Sequence, residues 1–366
     1  MSRRPPSRRQ VVRHLLHPRN LRGSLTLSPQ PSLRNAALAG LQAAVAAAIA
    51  LPLTLVSPWP HLIGFVALGV LVALFGRFAP PRSRNPILLQ CALWQSLAVF
   101  GMSMAVWLGA SAAGQLALLA FACGFFFLVC VTGRFGAPGP LIFVFAVGAS
   151  MADSLTLAQV LERTAATTAA AAFSWAVCAA SEALRHPPRP GRPFPAEPAR
   201  PLPHRLMAAA RITAGTALAA YASHALGANH PAWAAMGTLA VMQGTHLHIS
   251  MNRALQRMAG TVAGALLAWA FLIQNPTAGA VIAALVLLQF VTEVVIGANY
   301  GLGQVLVTPM ALLMTHLAAP HAAGPAMAPE RVLDTLLGAT IGICLAVVLS
   351  SLDDRRHLAG QRDAQP

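Results

Sequence analysis

The chain has 366 residues, 56% hydrophobic and only 10% charged, with a mean hydropathy of +0.62. A soluble domain carries about 25% charged residues, so these proportions exclude an ordinary wetted surface and place the chain in a bilayer. The formal charge of +15 reads as the positive-inside bias of a membrane protein, and nucleic acid is not expected as a partner.

Residues 1–34 form a basic arm, rich in Arg and free of acids. It is too long and polar for a clean signal peptide, since no small-residue cleavage site follows a short apolar core. Its Arg content alone would suit a transit peptide, but a cytoplasmic arm against anionic lipid is the preferred reading. Apolar segments follow at about 35–57, 62–76, 87–108, 114–132, 138–152 and 155–181, then at about 206–226, 231–248, 255–273, 277–298, 302–319 and 331–351. A spanning helix needs roughly 20 residues, so 62–76 and 138–152 are short and suit broken or re-entrant helices. The expected fold is all-α: a polytopic helical bundle of about twelve spans in two parallel six-helix repeats. Repeat 1 covers 35–184 and repeat 2 covers 206–351. Between them lies a Pro/Arg-rich linker, 185–205, which reads as an extended cytoplasmic tether or, more sharply, as an SH3-type ligand. Residues 352–366 form a cytoplasmic tail.

Arg placement tests this count, because every basic residue is Arg. With the N-terminus inside and strict alternation, only Arg163 and Arg331 fall outside. An even number of spans per half follows, and both halves then enter the membrane in the same direction. The duplication is visible as strings: Val160-Leu161-Glu162-Arg163 and Val332-Leu333-Asp334-Thr335 both open membrane-length apolar runs.

Several residues carry chemistry. Arg253, Arg257, Gly260 and Gly264 share one helix stripe, with Thr261 beside Gly260. The glycines allow close helix packing. The arginines either anchor lipid phosphates or form a vestibule for organic anions, with Arg211 a third member. Asp334 and Glu330 lie one turn apart at the outer start of the last helix, where Arg331 can neutralise Glu330, and Glu162 takes the equivalent place in the first half. These acids are either helix N-terminal charges or proton carriers. Glu293 sits in an apolar run without a local basic partner, so it can carry a proton unless a cation such as Arg211 reaches it from another helix. Trp233 opens a helix beside Pro231 and is either part of an aromatic belt or a stacking surface for an aromatic substrate. His246 and His248 do not face each other on a helix, so no metal site is expected. The five Cys lie in apolar runs and read as buried hydrophobes. The absence of GxxxxGK[ST], HExxH and GxSxG argues against an enzyme, and no cofactor is expected.

One resemblance joins these motifs. His230-Pro-Ala-Trp233, Gln256-Arg257-Met-Ala-Gly260-Thr261-Val-Ala-Gly264, Asn299-Tyr300, Thr308-Pro309-Met310 and Glu330-Arg331-Val-Leu-Asp334-Thr335 with Gly338 resemble the fusaric acid resistance family of membrane transporters. These are similar to aromatic acid exporters and more distantly to plant aluminium-activated malate transporters. The match is best in the second half. The first half carries a fainter version in Gly69 to Gly76, Arg77, Arg82, Arg84 and Glu162. The resemblance implies proton-coupled export of small organic anions, aromatic carboxylates among them, across a bacterial inner membrane with both termini cytoplasmic. A passive anion channel and a non-transporting scaffold are the alternatives. The implied partners are the anion and membrane lipid, with a homo-oligomer left open. The expected roles are then Arg253, Arg257, Arg211 and Trp233 for substrate, Glu293, Asp334 and Glu162 for protons, and Gly260, Thr261 and Gly264 for packing.

Overall fold

The computed structural model describes residues 30–80, 82–186, 194, 200–244, 247–319 and 324–349, with backbone only for 247–250. Most of the basic arm, most of the linker, His246, the His248 side chain and the tail therefore lie outside the described side chains. Among the described residues all regular structure is helical. Twelve α-helices run in order: α1 Leu33–Val56, α2 Ile63–Val70, α3 Arg84–Trp107, α4 Ala112–Gly133, α5 Leu141–Ala149, α6 Leu157–Ala180, α7 Leu202–Ala225, α8 Ala232–Met242, α9 Leu247–Leu272, α10 Ala278–Ile296, α11 Tyr300–Ala318 and α12 Met327–Val348. Seven of them, α1, α3, α4 and α9–α12, are long and apolar enough to cross a membrane.

The helix starts follow from local chemistry. Ser32, Ser111, Thr277 and Asn299 each accept a backbone N–H at the head of α1, α4, α10 and α11. Thr156 and Gln159 form a reciprocal capping box on α6. A side-chain oxygen at the cap satisfies a donor that the helix itself leaves orphaned, which matters most where water is scarce. α7 begins at Leu202, inside the segment expected to be linker.

Three helices are short. α2 has eight residues between 3-10 turns at Pro60–Leu62 and Leu71–Leu74, and α5 has nine. These are the two segments expected to be short. The third is α8, where the sequence suggested a longer run over 231–248; it stops at Met242, ahead of Gly244. Its eleven residues span roughly 16 Å, about half of a ~30 Å hydrocarbon core. Every residue from Ala232 to Val241 is buried. A helix that is small and apolar on all sides can sit only inside a shell of longer ones.

The halves pair their helices in the same order. Within the first, α2 packs on α1 and α6, and α3 on α5 and α6; within the second, α8 packs on α7 and α12, and α9 on α11 and α12. Across the halves, α1 lies on α10 and α7 on α4. Both cross pairs are antiparallel. Gln30 Nε2, just before α1, donates to the Val294 carbonyl near the end of α10 at 2.6 Å. Arg205 of α7 donates to Thr132 of α4 at 2.8 Å, and Tyr221 to the Ala113 carbonyl at 2.7 Å. Phe75, after α2, meets Phe135, after α4, with ring centroids 6.4 Å apart. α1 and α7 thus start at one end of the bundle, here the near end. The far end holds the starts of α2, α6, α8 and α12.

Contacts also set the register between the halves. A Cβ on Gly69 would press on the Thr167 carbonyl and the Ala171 nitrogen, and one on Gly237 on the Thr335 carbonyl and the Ala339 nitrogen. The chain separation is identical for all three counterparts. That register places Glu162-Arg163 on Glu330-Arg331, one helical turn away from the string match of Glu162 with Asp334. The arginine of each pair lies on an aromatic ring of the neighbouring short helix: Arg163 Cζ is 4.9 Å from the Phe65 centroid, and Arg331 Cζ is 5.0 Å from that of Trp233. Each glutamate meets a histidine, His61 at 3.4 Å and His230 at 3.2 Å.

Candidate functional site: a polar path through the second half

α9, α11 and α12 bring a line of polar side chains into the apolar interior. At the near end Arg253 is half-buried, with its guanidinium 5.8 Å from the Tyr300 ring. One turn further along α9, Arg257 is 2% exposed. It donates to the Tyr300 hydroxyl at 3.4 Å and to Gln304 Oε1 at 3.3 Å. Arg331 on α12 is also 2% exposed, with Arg257, Tyr300 and Asp334 within electrostatic reach. At the far end Asp334 accepts from Ser223 Oγ on α7 at 2.7 Å.

This path is under-satisfied. Nε of Arg257, Nε and Nη1 of Arg331, Oγ1 of Thr261 and Thr335, and Oδ2 of Asp334 are buried and make no hydrogen bond with the described residues. Among those residues no carboxylate lies within ion-pair distance of Arg257 or Arg331. A guanidinium offers five N–H donors in a fixed fork, and leaving such a charge unpaired in a low-dielectric interior is costly. Two of them together concentrate positive charge in an apolar interior, where ionised groups are rare.

The packing stripe supports the path. A Cβ on Gly260 would lie 2.6 Å from Gln304 Cβ, and one on Gly264 would lie 2.6 Å from the Val305 carbonyl. Pro309 of α11 has no N–H to give that carbonyl, so α9 approaches where the α11 ladder is interrupted. Thr261, between the glycines, is buried.

The other expected site residues fall differently. Arg211 is half-buried on α7 and makes no hydrogen bond or ion pair with the described residues. Glu293 is not alone: Arg77, from the first half, donates to its carboxylate at 2.6 Å, and both side chains are buried. The expectation of an isolated carboxyl fails because its cation comes from a loop remote in sequence. Arg331 does not neutralise Glu330. Glu330 accepts from the His230 backbone N–H at 2.8 Å and meets His230 Nδ1 at 3.2 Å, while Arg331 turns onto Trp233. The Trp233 ring is also stacked by His230, with centroids 4.2 Å apart, so protein groups already use its surface. Glu162 meets His61 at the far end of the first half, where both are substantially exposed. Cys91, Cys123, Cys130 and Cys178 are buried, but Cys344 is exposed.

Reading each motif alone missed Arg331. Its signal was the duplicated Glu-Arg dipeptide, with an aromatic residue at the matching place in each short helix.

A shell of long apolar helices around short buried ones defines a multi-pass helical membrane protein. Residues 218–345 match the fusaric acid resistance protein-like family. A Bacillus subtilis (strain 168) protein described as the uncharacterized membrane protein YvaC is 32% identical over 117 residues. That alignment covers 32% of this chain and 18% of the relative, so the chain spans less than a fifth of that protein's length. No solved structure matches.

Proposed function

We propose that the protein is a secondary transporter for small organic anions, working in efflux and coupled to protons, rather than an enzyme. The observation that carries this reading is the polar path of the second half, with Arg257 and Arg331 buried and without an ion-pair partner among the described residues. The family match supports membrane transport, and the motif resemblance extends the expectation to aromatic carboxylates. A planar guanidinium holds a carboxylate through two parallel N–H donors, so two arginines whose N–H groups are not all used by the described residues suit one such group better than a neutral solute. The near end is assigned to the cytoplasm of a bacterial inner membrane, because Arg crowds the loops on that side. The two halves are a duplicated unit related by an axis along the membrane normal, and their seams, α1 on α10 and α7 on α4, are where rocking takes place.

Transport of benzoate in proteoliposomes tests the reading. Saturable flux that can be driven uphill by an imposed pH gradient, and that disappears in Arg257→Gln and Arg331→Gln, is the expected result. Flux that always stops at electrochemical equilibrium would favour the passive channel, which the unobstructed chemistry of the two arginines also permits. Absence of any benzoate flux would remove both.

A further inference from the structure

We infer that Asp334 makes proton binding and anion binding at the arginine pair mutually reinforcing, so that the two are carried together rather than exchanged. This rests on the reading of Arg257 and Arg331 as the anion site and concerns how that site is coupled. Asp334 stands one turn after Arg331 on α12, a spacing that puts both on one helix face. It is 4% exposed, and its Oδ2 makes no hydrogen bond with the described residues. The charged and titratable groups around it are Glu330 and Arg331 on its own helix and His230 ahead of α8, while α7 contributes the neutral Ser223. Arg257 of α9 and the Tyr300 phenol complete the surroundings of Arg331.

The sign of the coupling follows from the charges. With Asp334 ionised, Arg331 already has one internal anion in electrostatic reach, and an incoming carboxylate meets both attraction to the guanidinium groups and like-charge repulsion from Asp334. Protonating Asp334 removes the repulsion and leaves both guanidinium groups to the ligand. Linkage is reciprocal, so the bound anion equally favours the protonated carboxyl. The loaded site therefore holds anion and proton at once, and moving both is electroneutral for a monovalent acid. Efflux then follows the gradient of the whole acid. The fitting substrates are acids that reactions inside the cell supply faster than they consume.

The probe is benzenesulfonate, whose charge is fixed across the pH range used. Its Kd is measured on the purified full chain in detergent from about pH 5.5 to 8.5. The expected result is weaker binding as pH rises, approaching tenfold per pH unit where one proton is linked, and about one proton taken up from a weakly buffered solution per anion bound. Asp334→Asn is expected to keep tight binding and lose the pH slope. If that variant does not fold, proton uptake by the wild type decides. A Kd independent of pH, tightening with rising pH, or a slope that survives Asp334→Asn and disappears in His230→Gln overturns the inference. Failure of the anion-site reading looks different: no saturable binding, or binding indifferent to both Arg257→Gln and Arg331→Gln.

Discussion

Arg331 and Glu293 are both buried charges in apolar helices, yet they have opposite settings. Glu293 is satisfied by Arg77, and Arg331 has donors without a partner among the described residues. Removing one partner of a satisfied buried pair strands the other, at about 3–5 kcal/mol. Glu293→Gln is thus expected to lower the yield and melting temperature of the purified protein while leaving the pH dependence of flux per folded molecule unchanged. A changed pH profile at normal stability would return Glu293 to the proton path. Arg331→Met removes a buried charge that has no ion-pair partner among the described residues but keeps a long side chain against Trp233. It is expected to melt at the wild-type temperature or above it, and to bind anion roughly ten- to a hundredfold more weakly, the loss of about 1.5–3 kcal/mol for a charge-assisted hydrogen bond. A residue that costs stability and supplies binding is the mark of a functional position.

At the scale of elements, the glycines are not interchangeable. A Cβ on Gly264 would meet the Val305 carbonyl at 2.6 Å and Thr308 Cβ at 2.8 Å, whereas one on Gly101 of α3 would meet nothing within 4 Å. Gly264→Val is expected to prevent close approach of α9 and α11 and to destroy folded yield, judged by size-exclusion profile. Gly101→Ala should be neutral or slightly stabilising, since Ala is favoured over Gly in a helix by up to about 1 kcal/mol. The short helices belong to the same scale. Sequence length gave α2 and α5 away, but the segment expected over 231–248 runs past the end of α8 at Met242, because hydropathy does not register where a helix turns.

At the scale of the molecule, each half's first helix lies on the other half. Neither half can bury its own apolar seam alone. The halves expressed together as separate chains, divided within the linker, are therefore expected to co-purify, and either alone to aggregate or be degraded. Independent, monodisperse halves would contradict the cross-half packing. The buried Arg77–Glu293 pair adds an ionic tie to that seam.

The sequence by itself determined membrane residence, the helix count, most helix boundaries to within a few residues and the Gly260–Gly264 seam; the start of α9, expected at 255, lies at Leu247. These depend on hydrophobic length, capping residues and local helix periodicity, all written within a few turns of chain. It also marked Arg257 and Asp334 as residues of interest. Only the tertiary structure decided which charge answers which. Arg77 and Glu293 are 216 residues apart, Glu330 turns to His230 instead of its neighbour Arg331, and the register of the halves differs by one turn from the best string match. The reason is geometric: a long side chain on a helix finds its partner on whichever helix packs against that face. Packing between distant segments is a property of the assembled bundle, and no local pattern records it.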